Sequence, residues 1–311
     1  MTRYAALKAS LFLGALTVGA GLMAAPAAAE LTFAGNYQGP VSIHFTSYES
    51  FVDSNGNLTT ALAVGDQNFG VFAISSITAA AAFGSISPGQ TIWSPSSTNG
   101  NLVGVFAGIT VSRITPLSPS GFQTGNTGGQ FALYDLPFSS FPDFTQGTNG
   151  YMAGGCSAFN TLCYNTLTNV PGYTAPFLTM DLVPGADTTH NSETLQATAS
   201  TTTIPTTGSA AGWMDITGGS DQAQFGRNGF TTAIGTLADM SLFDDFCSNA
   251  ANCGGQTAST GNWQQVDFDP VGANVVVPEP ATLGLLGMGL AGLALARRRR
   301  MPRTMDDGSG S

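Results

Sequence analysis

Short apolar segments separated by turn-forming residues run along most of this chain, and they constrain its fold more than any other feature. Apolar and polar residues alternate over residues 41–46, and a period of two places successive side chains on opposite faces of a strand. Further strand-like segments are 69–77, 102–114, 131–136, 177–182 and 212–216. The pattern favours an all-β domain, and we expect an antiparallel β-sandwich or jelly-roll-like architecture.

The connections between these segments carry signals of their own. Asn55-Gly56 follows the first predicted strand, and this dipeptide favours a tight hairpin turn. Residues 79–83 are rich in alanine and predict one turn of helix. Residues 187–208 are rich in small hydroxylated side chains, which predict a long loop with a strand at 195–202.

A Gly-x-Phe pattern occurs in two of the predicted strands. It is formed by Gly70-Val71-Phe72 and by Gly104-Val105-Phe106. The two copies define no fixed repeat period. We interpret them as aromatic packing beside glycine within a sheet.

Residues 30–276 have an unusual charge balance. They contain no lysine, and Arg113 and Arg227 are their only basic side chains against sixteen acidic ones. Such a surface repels nucleic acid and anionic lipid, because both require cationic partners. It is compatible with divalent cations, with a neutral or cationic polysaccharide matrix, and equally with simple solubility.

The N-terminus has the features of an export signal. Arg3 and Lys8 precede an apolar stretch over residues 9–25, and three alanines at 27–29 provide small residues near a cleavage point. Residues 1–29 are therefore predicted to be a signal peptide that signal peptidase removes.

The C-terminus combines a short motif, an apolar run and a basic cluster. The motif residues are Val277, Pro278, Glu279 and Pro280. The basic cluster is Arg297, Arg298, Arg299 and Arg300. Between them, residues 281–296 lack charge, and a helix of this length spans about 24 Å, slightly less than the ~30 Å bilayer core. We expect a single transmembrane helix with residues 301–311 as a short cytoplasmic tail, since arginines favour the cytoplasmic side.

This order of elements over residues 277–300 resembles the PEP-CTERM sorting signal of Gram-negative bacteria. The resemblance implies processing by exosortase, a membrane transpeptidase-like enzyme. It implies an exported protein that is transiently anchored in the inner membrane and then reaches the cell surface or the extracellular space. Proteins of this cohort are associated with exopolysaccharide and biofilm matrices, so exopolysaccharide is an expected partner. The eleven residues after Arg300 are a departure, because this signal normally ends almost at once.

Four cysteines accompany this export route, at Cys156, Cys163, Cys247 and Cys253. Disulfides persist in the oxidising periplasm, and four cysteines allow three pairings. Proximity favours pairing of the first two and of the last two, with cross pairing as the alternative. Their spacings are unlike those of common zinc sites.

Groups with catalytic potential are few. His44 and His190 are the only histidines, and no Gly-x-Ser-x-Gly motif is present. The carboxylate clusters are Asp244-Asp245 and Asp267-x-Asp269, which more often end strands and cap turns than act as an acid and base pair. We expect a noncatalytic protein.

One segment has the spacing of a metal loop. Asp53, Asn55 and Asn57 place oxygen ligands at alternating positions around Gly56, as calcium loops do. An Asx-rich hairpin explains the same residues. Structural calcium at these three positions is the only cofactor that the sequence raises, and we expect no other.

Two classes of function follow. The first is an exosortase-processed surface or extracellular-matrix protein that acts in adhesion or in matrix structure. The alternative is a secreted carbohydrate-binding module or glycan-active hydrolase, in which sugar rings stack on Trp93, Trp213 or Trp263. Core packing is the competing explanation of these tryptophans.

Overall fold

The computed structural model describes residues 31–140, 176–203, 206–247 and 265–275, with the backbone alone for Ser140, Cys247 and residues 265–275. The described residues from Thr32 onward belong to one compact unit. Among them, no helix is long and apolar enough to cross a membrane. The predicted signal peptide, the predicted transmembrane helix at 281–296 and the tail at 301–311 lie outside the described residues.

Thirteen strands are present in the described part of the chain, and their pairings are antiparallel. They are β1 (Gly39–Val52), β2 (Gln67–Ala79), β3 (Thr91–Trp93), β4 (Asn101–Pro116), β5 (Phe122–Thr127), β6 (Gln130–Leu136), β7 (Leu178–Val183), β8 (Leu195–Ala199), β9 (Thr207–Gly218), β10 (Phe230–Thr231), β11 (Leu237–Ala238), β12 (Met240–Cys247) and β13 (Gln265–Val275). A single helical turn, α1 (Gln222–Phe225), follows β9.

The main sheet closes on itself. β1 pairs with β2, β2 pairs with β4, and the order continues through β6, β7, β9, β12 and β13 until β13 returns to β1. β5 and β6 pair with the two ends of β4 and together act as one interrupted strand. β7 and β8 pair with the two ends of β9 in the same way. The wall therefore has eight positions, and each runs antiparallel to the next.

This connectivity corrects the expected sandwich or jelly roll. A sandwich stacks two separate sheets, and a jelly roll needs Greek-key crossovers. Here the wall strands that are neighbours in sequence are also neighbours in one sheet. The broader expectation of an all-β antiparallel domain is confirmed. Closure pairs the strand edges, so the wall hides the backbone groups that an open sheet would expose.

Most of the predicted strand segments form strands, but the predicted helical turn at 79–83 is wrong. The backbone N–H of Ala79 donates to Gln90 O at 2.9 Å, and Phe83 forms an isolated bridge with Ile86. Backbone pairing across the chain thus overrides the local preference of the alanines. The turn predicted at Asn55-Gly56 is confirmed, with Gly56 at φ +82°.

The two Gly-x-Phe motifs pair with each other. In the antiparallel register of β2 and β4, Gly70 lies opposite Phe106 and Phe72 lies opposite Gly104. A Cβ atom at either glycine would overlap the opposite ring. Each glycine therefore makes room for a phenylalanine of the neighbouring strand, which confirms the interpretation from sequence.

These rings are part of a cluster inside the closed sheet, which we call the aromatic layer. Its members are Phe45, Phe72, Phe106 and Phe131. Ring centroids are 5.4 Å apart for Phe106 and Phe131 and 6.2 Å apart for Phe72 and Phe131. Contacts at these separations are typical of favourable aromatic pairs.

The opposite face of the same strands is also buried. Val71, Val103 and Tyr134 project away from the aromatic layer, yet they belong to a second hydrophobic cluster. This part of the wall is therefore covered on both faces. Double burial explains why residues 102–107 of β4 are apolar without interruption apart from Gly104.

Candidate functional site

The closed sheet surrounds a cavity of about 140 Å³. Strand alternation builds its wall, because every second side chain of a wall strand points inward. On β1, for example, the lining residues are Ile43, Phe45, Ser47, Glu49 and Phe51.

One end of the cavity is apolar and closed. Phe177 and Phe225 meet edge to face there, with ring centroids 5.9 Å apart. The helical turn α1 places Phe225 in this position, where its side chain is buried. The aromatic layer lines the middle of the cavity, so a continuous apolar surface extends from this end to the centre.

Towards its other end, which we call the polar end, the cavity has polar side chains between the aromatic layer and Phe51. Glu49 and Asp244 line it, and both are more than nine-tenths buried. Ser47 Oγ donates to Glu49 Oε1 at 2.8 Å, and Asn68 Nδ2 donates to Glu49 Oε2 at 2.8 Å. Asn68 Oδ1 is shielded from solvent and accepts no hydrogen bond within the described part of the chain. Two carboxyl groups and an unpartnered amide oxygen therefore lie among the polar lining residues.

Among the described residues, two connections meet near the polar end. The β1–β2 connection includes Leu62, whose side chain lines the cavity. Its backbone N–H donates to Thr202 O in the β8–β9 connection at 2.9 Å, and Ala61 forms an isolated bridge with Thr203. Backbone contacts therefore join the two connections, which together we call the cover.

A second polar cluster lies at the connection between β7 and β8. Residues 184–194 leave the wall there and return to it. Arg113 of β4 holds this excursion through a bidentate pair with Glu193, with Nε–Oε1 2.8 Å and Nη2–Oε2 2.9 Å, and its Nη2 is 3.1 Å from Asp187 Oδ2. We call Arg113, Asp187, His190 and Glu193 the loop clasp.

Glycine allows the clasp to sit close to the sheet. A Cβ atom at Gly125 of β5 would overlap the Glu193 carboxylate. The side chain of Glu193 is only 3% exposed, whereas that of Arg113 is 20% exposed. The pair is thus buried on its acidic side, and the hydrogen bond to Glu193 raises the pKa of Arg113.

Asp187 organises the rest of the clasp. Its carboxylate accepts the backbone N–H of Thr189 at 2.7 Å and lies 2.9 Å from His190 Nδ1. These hydrogen bonds, that of the Thr189 N–H first, hold the pKa of Asp187 far below its usual range. The clasp is therefore built around an ionised carboxylate.

The clasp has ligand atoms of metal-binding type, since single atoms of Asp187, His190 and Glu193 lie within 4.8 Å of one another. However, Arg113 already occupies both oxygens of Glu193, and its charge opposes a bound cation. The arrangement is better suited to holding the excursion against the wall.

The predicted calcium residues form an Asx-type turn. Asp53 Oδ1 accepts the backbone N–H groups of Asn55 at 2.8 Å and Asn57 at 2.9 Å. The hydrogen bond from Asn57 is the largest of the effects that lower the pKa of Asp53. Calcium at these residues stays a prediction, which calorimetry with Ca²⁺ on the exported protein tests.

The other predicted site residues are dispersed. Cys156, Cys163 and Cys253 lie outside the described residues, and Cys247 is the last residue of β12, so the disulfides stay predictions. Asp244 is buried and Asp245 is exposed, because adjacent residues of a strand face opposite sides. Backbone pairing in β13 places Asp267 opposite Ser47 and Asp269 opposite Phe45.

The tryptophans and histidines take ordinary structural positions. Trp93 is 2% exposed, Trp213 is half-buried, and Trp263 lies outside the described residues. His44 Nε2 lies 3.3 Å from Thr78 Oγ1. His190 belongs to the loop clasp, which was not predicted from the sequence. Its signals were the rarity of Arg113 and the i, i+3, i+6 spacing of three ionisable residues in one loop.

Comparison with known families identifies the C-terminal segment. Residues 276–300 match the model of the PEP-CTERM protein-sorting motif, which confirms the resemblance seen at 277–300. The motif indicates an exported protein that is transiently anchored in the membrane and processed by exosortase. No curated protein and no solved structure gives a significant match to the chain.

Proposed function

We propose that this exported exosortase substrate is a noncatalytic protein of the cell surface or extracellular matrix, which acts in adhesion or in exopolysaccharide and biofilm structure. The observation that carries this proposal is the hydroxyl-rich outer face of β7, β8 and β9. Thr198 and Ser209 pair across two strands at 3.2 Å, and Thr217 donates to Thr179 at 3.2 Å. Such hydroxyl groups suit contact with a hydrated polysaccharide.

The positions of the ionisable groups support a noncatalytic role. His190 is tied to Asp187 in a clasp in which Arg113 pairs with the same carboxylate. Glu49 and Asp244 line the covered end of the interior cavity, where a polymeric substrate has no access. The protein therefore acts through its surface in this proposal.

Co-sedimentation with exopolysaccharide from the producing cells tests the proposal. We expect the exported protein to sediment with the polymer and to remain bound as salt is raised, because neutral hydroxyl contacts are only weakly screened. A protein that stays in solution at every salt concentration contradicts the proposal.

A carbohydrate-binding module is the second candidate, and the surroundings of Trp213 favour it. Trp213 lies on the outer face of β9, two residues before Asp215. In the register of β7 and β9, Asp215 lies opposite Asp181. Burial, then the nearby charges of Asp239 and Asp181, raise the pKa of Asp215. An aromatic ring beside two carboxylates is a typical surface for stacking and hydrogen bonding a sugar.

Single substitutions separate the two candidates. Trp213→Ala is expected to abolish polysaccharide binding if the module is correct, and Phe243→Ala on the outer face of β12 is the matched control. A surface role spread over many hydroxyls predicts nearly unchanged binding for both variants. Release of reducing ends, lost in Asp215→Asn, would instead identify a hydrolase.

A further inference from the structure

We propose that the interior cavity is a binding site for a small amphiphile with an apolar body and a hydrogen-bond-donating head, of which a short primary alkylamine is the model. This site is distinct from the outer surface on which the proposed function rests. The proposal follows from the aromatic lining of the cavity and from the two buried carboxyl groups in its wall.

The apolar half of the cavity determines the size and chemistry of the ligand body that fits. The aromatic layer and the Phe177–Phe225 pair provide its walls and its closed end. The cavity volume of about 140 Å³ is close to the roughly 150 Å³ of an engineered apolar cavity that takes benzene. A ligand of about six to ten non-hydrogen atoms therefore matches this space.

The polar lining residues determine the chemistry of the ligand head that fits. Glu49 and Asp244 supply two carboxyl groups, and no cationic side chain lines the cavity among the described residues. The Nδ2 group of Asn68 is held by Glu49, and Oδ1 of this lining residue is a buried acceptor with no hydrogen-bond partner in the described part of the chain. Acceptors of this kind need a donor, so an amine head fits and a carboxylate head is repelled.

The cover explains how such a ligand reaches the site. The apolar end is closed by buried aromatic rings, whereas at the polar end the described part of the chain has two connections that meet at Leu62 and Thr202. Opening of this cover admits the apolar body first. The head then comes to rest beside Glu49, next to the opening.

Calorimetry on the exported protein with n-hexylamine, n-hexanol and n-hexanoate tests the proposal. These probes share their apolar body and differ in their head. We expect hexylamine to bind at least about tenfold more tightly than hexanoate, since a hydrogen bond to a charged group is worth about that factor. Equal binding of hexylamine and hexanoate overturns the assignment of the head, and no binding of any probe overturns the site.

Two neighbouring alanines of β9 locate the binding. Ala210 lines the cavity, whereas Ala211 is exposed on the outer face. Ala210→Phe is expected to abolish hexylamine binding, and Ala211→Phe is expected to leave it unchanged. Loss in both variants, or in neither, contradicts binding inside the closed sheet.

A conservative variant tests the head without adding bulk to the interior. Glu49→Gln keeps the size and shape of the side chain and replaces its carboxylate with a neutral amide. We expect it to weaken hexylamine binding about tenfold while hexanol binding changes little. An unchanged preference for the amine would contradict the role of Glu49, even if Ala210→Phe fails to fold.

Discussion

The aromatic layer and the loop clasp stabilise different parts of the same closed sheet. The layer packs apolar rings against glycines of neighbouring strands and contains no ionisable group. The clasp uses Arg113, Asp187 and Glu193 to hold an excursion of the chain against the wall. Burial therefore stabilises the wall itself, and charge fixes the excursion at residues 184–194 between two of its strands. The two regions should respond differently to truncation and to pH.

Truncation of the aromatic layer is expected to have the largest effect. Phe106→Ala removes a buried ring that contacts Phe72 and Phe131, and we expect a loss of about 3–5 kcal/mol in the free energy of unfolding. Phe243, which is 47% exposed, is the matched control, with an expected change within about 0.5 kcal/mol for Phe243→Ala. Urea denaturation measures both, and similar losses in the two variants would show that the layer is not the centre of the fold.

Loss of the clasp cation comes next. Arg113→Ala leaves the buried Glu193 carboxylate without its bidentate partner, and we expect a loss of about 2 kcal/mol because the pair is partly exposed on its basic side. Arg227→Ala changes the other, exposed arginine of residues 30–276 and should have little effect. In the double variant Arg113→Met/Glu193→Gln, much of the stability should return. A double variant as unstable as the single one would contradict an electrostatic clasp.

The smallest effect concerns pH. The pKa of Asp187 is lower in the folded protein than its ordinary value, so its contribution is complete above about pH 4 and is lost as the pH falls towards the lowered value. We expect Asp187→Asn to cost no more than about 1 kcal/mol at pH 7. Melting temperatures at pH 7, 5 and 3 should show the difference from the native protein shrinking only below pH 5. A difference that grows in acid would reverse the assigned sign.

Local pattern predicted the strands but not the way the sheet closes. Alternation over residues 41–46 identified the core-facing side of β1, and residues 69–77 and 102–114 fall within β2 and β4. The same alternation serves a sandwich and a closed sheet, because both have one inward face. Only the pairing of β13 with β1 distinguishes them, and these strands lie at opposite ends of the domain.

The clasp and the cavity could not be predicted from the sequence for a similar reason. Arg113 is 80 residues from Glu193 and 74 from Asp187, and no local periodicity links such positions. The polar end of the cavity left a fainter signal, since Ser47 and Glu49 continue the inward phase of β1 with polar residues. A polar group at a core-facing position marks a hydrogen-bonded interior or a ligand contact.

Mass spectrometry of the C-terminus of the exported protein tests the central claim most directly. The PEP-CTERM motif at residues 276–300 implies processing by exosortase. The peptide map of material from exosortase-containing cells should therefore lack residues 281–300, and cells without exosortase should retain them. Peptides that cover residues 281–300 in exported protein from exosortase-containing cells would contradict the account.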